Sequence, residues 1–182
     1  FKAYPFDYHQ EIEVKIINLS NLGVGIARVQ IDDAMMNLHQ SAEDKTKNDG
    51  WVVFVPHTLP GEKVLARIFR NDKSHSQADL IKVIEPSPDR LDPACELFGK
   101  CGGCQYQHLS YEKQLAWKTR QVEELLQHMV GIEASVSSAI PSPKQWGYRS
   151  KITPHFKRPR DGKIGDIGFL VAGQRSYTVE VD

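Results

Sequence analysis

The chain has 182 residues, 40% of them hydrophobic and 25% charged, with 23 Lys and Arg balanced by 23 Asp and Glu. That length holds one generous domain or two small ones, and the neutral balance excludes reading a partner from net charge. No apolar run reaches the roughly 18 residues of a membrane-spanning helix. Three cysteines, an odd number, argue against a secreted disulfide framework and for a reducing intracellular compartment, with cytosol, nucleus and mitochondrion undistinguished. The chain opens on Phe1 with no charged-then-apolar leader, and it reads as part of a longer one.

Residues 1–9 read as an N-terminal extension, and residues 10–86 as a small all-β unit. EIEVKIINLS carries β-branched residues in near-alternation, and NLGVGIARV follows with two glycines at a turn or bulge. Residues 31–50 are polar and without period, and read as a long surface insertion. WVVFVP is a short apolar run stopped by Pro56. In TLPGEKVLARIFR, Val64, Ala66 and Ile68 share one face, with Leu65, Arg67 and Phe69 on the other. With SQADLIKVIEP as the last strand, the pattern predicts a five-stranded closed or partly open barrel.

Pro86, Pro88 and Pro93 then make a stiff connector. Residues 87–182 read as a second, α+β domain. Ser110 is placed to cap a helix whose apolar stripe is Leu115, Val122, Leu125, Leu126 and Met129, with Gly131 as its stop. SKITPHF, IGDIGFLV and SYTVEVD are strand-like, with Asp161-Gly162 as a hairpin turn.

The three cysteines, Cys95, Cys101 and Cys104, fall within ten positions as C-x5-C-x2-C. Thiolates at x2 spacing on a Gly-Gly turn ligate one centre in both zinc and iron–sulfur sites. His108 would complete a Cys3His zinc site within this chain, whereas an iron–sulfur cluster wants a fourth thiolate. Spacing leaves the two open.

Charge points to RNA independently. From Lys144 to Arg175 there are eight basic residues against two acidic ones, interleaved with Tyr148, His155 and Phe156. A backbone-tracking and base-stacking surface needs that mixture. Arg149, Lys151, Lys157 and Arg158 are the candidates. On the barrel, Arg67 is the candidate, with Arg28, Lys63 and Arg70 beside it, unless the barrel merely braces its neighbour.

The stretch CELFGKCGGCQYQHLSYEKQLAWKTRQV resembles the cluster segment of the S-adenosylmethionine-dependent RNA uracil-5-methyltransferases. NLGVGIAR, VVFVPHTLPGEKV, ADLIKVIEPSPDR and WGYRSKITPHF resemble that family's TRAM barrel and central domain in the same order, most like its eukaryotic tRNA branch. The resemblance implies a TRAM/OB-like barrel followed by an α+β central domain, as an N-terminal fragment. It also implies that Cys95, Cys101 and Cys104 bind a 4Fe–4S cluster whose fourth ligand lies beyond Asp182. The family's Rossmann-like catalytic domain, with its S-adenosylmethionine site, nucleophilic cysteine and general base, is expected to be absent, so no catalytic residue is assigned here.

In the implied reaction a cysteine adds to uracil C6, C5 takes the methyl group and a base removes the C5 proton. The implied partner is tRNA at its T-loop uridine, with no membrane and no obligate protein partner. Two alternatives stand beside this reading. One is a stand-alone RNA-binding module with a Cys3His zinc site; the other is a ribosome- or tRNA-associated structural protein.

Overall fold

The computed structural model describes the chain except Phe1, Ala3, residues 32–49, Lys157, Arg158, Arg160, Asp166, residues 174–176 and Asp182. The expected polar insertion at 31–50 therefore falls almost wholly outside the described residues. The chain divides into two compact units, Phe1–Arg90 and Leu91–Asp182.

In the first unit, β1 (Glu11–Leu19), β2 (Gly25–Val29), β3 (Trp51–Val55), β4 (Lys63–Asn71) and β5 (His75–Glu85) close a barrel in the order β1-β2-β3-β5-β4. All pairings are antiparallel except β3 with β5. The alternation read from the sequence sorts the side chains as expected. Val64, Ala66 and Ile68 are completely buried, as are Val53 and Val55, while Arg67 and Phe69 stand on the outer face. Alternate residues of a strand face one side, so each strand gives a row of interior side chains. The small Ala27, Ala66 and Ala78 let five strands close tightly over that interior.

Residues at the N-terminus join this core rather than trailing from it. Phe6 is buried in the cluster, and the Tyr4 ring meets Trp51 edge-on at 6.0 Å. Asn71 fixes the segment. Its Nδ2 donates to the carbonyls of Lys2 (2.6 Å) and Phe6 (2.7 Å), its Oδ1 accepts from Ser76 Oγ (2.7 Å), and Ser76 accepts from Trp51 Nε1 (2.8 Å). Asn71→Ala removes the shared partner of a buried chain and leaves donors and acceptors without one. It should cost about 2 kcal/mol in urea unfolding and speed amide exchange at residues 4–9.

The barrel unit continues to Arg90 because of one buried carboxylate. Glu62 is fully buried and accepts from Leu59 N (2.8 Å), Ser87 N (3.2 Å), and both Nε and Nη2 of Arg90. Arg90 Nη2 also donates to the His57 carbonyl at 2.9 Å. The proline-rich connector is thus pinned to the turn before β4.

The second unit carries helix α1 (Tyr111–Leu125), a π-turn over Leu126–Val130, and a small antiparallel sheet of β6 (His155–Phe156), β7 (Ile167–Leu170) and β8 (Thr178–Glu180). Ser110 caps α1 by accepting from Lys113 N, and Gly131 ends it in the left-handed region. Asp161 (φ 51°) and Gly162 (φ 71°) make the turn between β6 and β7. The expected apolar stripe is corrected in part: Leu115 and Leu126 are half-buried, but the other three members are not. Val122, Leu125 and Met129 are exposed, Met129 by 78%, and the buried residue of α1 is Gln121. Polar contacts hold this helix: Thr119 accepts from Ala139 N, Glu123 from Val136 N, and Tyr111 from Ser142 N. Among the described residues, Leu109 is the one buried apolar side chain of the unit. No helix among the described residues is long and apolar enough to cross a membrane.

Candidate cysteine centre and nucleic-acid interface

The cysteine loop is a chain of tight turns clamped from three directions. Leu97 O accepts from both Lys100 N (3.0 Å) and Cys101 N (2.9 Å), and Cys95 O accepts from Phe98 N (3.0 Å). From the sheet side, Gly102 N donates to Leu170 O and Ala172 N donates to Lys100 O, each at 2.9 Å, so Cys101–Gly102 pairs onto the end of β7. From the helix side, Gln114 Nε2 donates to the carbonyls of Tyr106 (3.0 Å) and Leu109 (2.8 Å), and Gln121 Nε2 donates to the Tyr106 hydroxyl (2.9 Å). Within the loop, Gln107 Oε1 accepts from Cys95 N at 3.1 Å. At its base, Leu91 N donates to His108 O at 2.9 Å.

Sequence reasoning missed these glutamines. Gln114 and Gln121 lie seven residues apart, two turns along one helix face, and that polar pair was the available signal. Gln107 gave none, because its partner is twelve residues away across a folded loop.

All three cysteines are free thiols. Cys95 and Cys104 are exposed and Cys101 is half-buried. Gly103 N donates to Cys101 Sγ at 3.3 Å, the kind of bond that stabilises a ligating sulfur and tunes an iron–sulfur centre. Among the described residues, no three His, Cys, Asp or Glu side chains converge on one metal position. The donors fit an iron–sulfur centre in chemistry, since they are three free thiols on one clamped loop. The loop supplies those donors without forming a closed cage.

His108 does not join them. It is completely buried, its ring 5.1 Å from that of Phe98, while two of the thiols face solvent. The Cys3His arrangement considered for zinc is not assembled, because the imidazole is packed inside the loop.

The basic candidates separate into two kinds. Arg149 and Lys151 are exposed on the extended segment before β6, with Tyr148 and Phe156 also exposed. Lys157 and Arg158 lie outside the described residues. On the barrel, Arg67 is 43% exposed and bound to Glu11 at 3.2 Å, Lys63 is bound to Glu13 at 2.7 Å, and Arg70 to Asp72 at 3.0 Å. Arg28 Nη1 donates to Gly50 O. Desolvation works against charge on Asp72, but hydrogen bonds from Gln77 and Arg70 and the charges of Arg70 and His75 hold its carboxyl below the ordinary range. These carboxylates offset the cations beside them, so the outer face of β4 is a weaker polyanion surface than its arginines alone suggest.

No family model matches the chain. Among curated proteins it is 44% identical to a tRNA (uracil(54)-C(5))-methyltransferase of Schizosaccharomyces pombe, over 94% of this chain and 31% of that protein. It is 35% identical to the 23S rRNA (uracil(1939)-C(5))-methyltransferase RlmD of Shewanella amazonensis, over 97% of this chain and 36% of the relative. An uncharacterized RNA methyltransferase of Halalkalibacterium halodurans is 34% identical over 81% of this chain and 28% of its own length. The chain spans about a third of the length of these relatives. Its closed five-stranded barrel fits the TRAM/OB-like domain that the motifs implied. Identity of this extent, over nearly all of the chain and in agreement with the barrel and the cysteine loop, places it in the RNA uracil-5-methyltransferase family.

Proposed function

We propose that this chain is the RNA-binding and cluster-holding part of a tRNA uracil-5-methyltransferase that acts at the T-loop uridine. The observation that carries the reading is the 44% identity, over 94% of the chain, to a tRNA (uracil(54)-C(5))-methyltransferase. The exposed Tyr148, Arg149, Lys151 and Phe156 support RNA contact on the second unit. In this reading the methyl donor, S-adenosylmethionine, and the groups that attack C6 and deprotonate C5 belong to the parent protein outside this chain.

Cys95, Cys101 and Cys104 supply three thiolates to a 4Fe–4S cluster, with the fourth ligand from beyond Asp182. When bound, the cluster serves to tie these segments together. Methyl transfer to C5 moves no net electrons, which supports a structural role over a redox one. The loop's own residues do the positioning: Gln107 holds Cys95, the β7 edge holds Cys101, and Gln114 and Gln121 hold the exit through Tyr106.

The full-length protein should transfer labelled methyl from S-adenosylmethionine to an unmodified tRNA transcript, and lose that transfer when the T-loop uridine is replaced by cytidine. Methylation of a 23S rRNA fragment but not of tRNA would overturn the substrate assignment. Arg149→Ala with Lys151→Ala should weaken tRNA binding and lower the slope of log K against log salt by about two.

A further inference from the structure

We propose that a shallow depression beside the cysteine loop is a nucleobase subsite, where one base of the bound RNA lies on a glycine floor with its ring against His155. This rests on the RNA-binding reading above and adds a specific contact to it. The depression holds about 480 Å³ and is lined by Gly102, Gly103, Gly173, Leu170 and His155, among others. Three of these residues have no side chain, so a flat ring can approach the backbone closely.

His155 is the exposed wall of this site. It lies opposite Gly168 in the β6–β7 register. Directly opposed residues are those that cover one another across a sheet. Here the opposed residue has no side chain, so the cross-strand neighbour leaves the imidazole face open. Phe156, next along the strand, faces the other way.

The polar groups favour a base over a phosphate. A loop rich in glycine N–H groups can cradle an anion, but both glycine N–H groups from the cysteine loop are already used: Gly102 N donates to Leu170 O, and Gly103 N to Cys101 Sγ. Lys151 is four residues before His155, within about 14 Å of extended chain. A cation for the phosphates flanking a seated base is therefore within reach.

The test is tRNA binding by the full-length protein across a salt series. His155→Ala should weaken binding by roughly five- to 150-fold, the usual loss for one stacked base, with the salt slope unchanged. His155→Phe should restore binding, because a ring without charge suffices. Arg149→Ala should instead lower the slope by about one. If His155→Ala leaves affinity unchanged while Arg149→Ala weakens it, the subsite is wrong and the RNA-binding reading survives. A His155→Ala loss that lowers the slope, or that phenylalanine does not restore, also overturns the subsite. No tRNA binding by the unmodified protein would remove the RNA-binding reading itself, and the subsite with it.

Discussion

Arg90→Ala is expected to destabilise the barrel unit by about 3–5 kcal/mol, the cost of removing one partner from a buried ion pair. The Glu62 carboxylate is completely buried, and Arg90 supplies two of its four donors. Without the guanidinium, a charge remains inside with only Leu59 N and Ser87 N to stabilise it. Urea unfolding followed by far-UV circular dichroism measures the loss, and amide exchange in β4 locates it in the barrel. Lys63→Ala breaks the exposed, solvent-screened pair with Glu13 and should leave the urea midpoint almost unmoved. Adding Glu62→Gln to Arg90→Ala should recover part of the loss, since the uncompensated charge is gone.

Acid should reveal the same pair. Burial works against ionisation of Glu62, but the Arg90 hydrogen bond, the two backbone N–H groups and the Arg90 charge outweigh it, so its pKa lies below the ordinary 4.5. Its contribution is therefore complete above pH 4.5 and is lost as pH falls through the lower folded value. His57 adds to the trend. Burial, and then the Arg90 charge, lower its pKa from 6.5, so protonating it as the pH drops below that value also costs stability. In Arg90→Ala, burial of Glu62 is no longer outweighed, and the acid midpoint should move to higher pH. An unmoved midpoint would show that Arg90 does not stabilise the ionised carboxylate.

The second large effect is expected at Gly168→Ala. A β-carbon there would overlap the Val179 carbonyl oxygen and lie 2.8 Å from its carbon. Both are backbone atoms, so β7 and β8 must separate rather than a side chain turn aside. Inserting atoms into a well-packed contact costs about 1–3 kcal/mol, and this unit has little core with which to absorb it. The effect should spread to the cysteine loop, because Cys101–Gly102 pairs with the end of β7 through Leu170. The variant should release iron faster than the parent when challenged with a chelator, with faster amide exchange at Gly102 and Ala172. Iron retention equal to the parent would show that the sheet does not hold the loop.

Much of the barrel was legible in the sequence because its information is local. Strand alternation needs only neighbours two apart, and Val64, Ala66 and Ile68 declared the core face directly. The cysteine spacing and the Ser110 and Gly131 caps are equally local. The helix stripe misled for a physical reason. Apolar residues at helical spacing bury only when something packs on them, and α1 is held instead by polar groups on Gln121, Thr119 and Glu123. Glu62 carried no signal in the sequence, since its partner Arg90 is 28 positions away. Likewise, the pairing of Arg67 with Glu11 comes from the β1–β4 register, and it weakened a candidate that looked free in the sequence. The three-way clamp on the cysteine loop depends on Leu170–Ala172, about seventy residues from Cys101, and no spacing rule reaches that far.

The central claim is that Cys95, Cys101 and Cys104 are ligands of an iron–sulfur cluster in an RNA uracil-5-methyltransferase. Its most direct test is the iron, acid-labile sulfide and zinc content of the full-length protein purified without oxygen. The account predicts a brown protein with about four iron and four sulfide, bleached by Cys104→Ser. Zinc bound with no sulfide, and lost on His108→Ala, would contradict it.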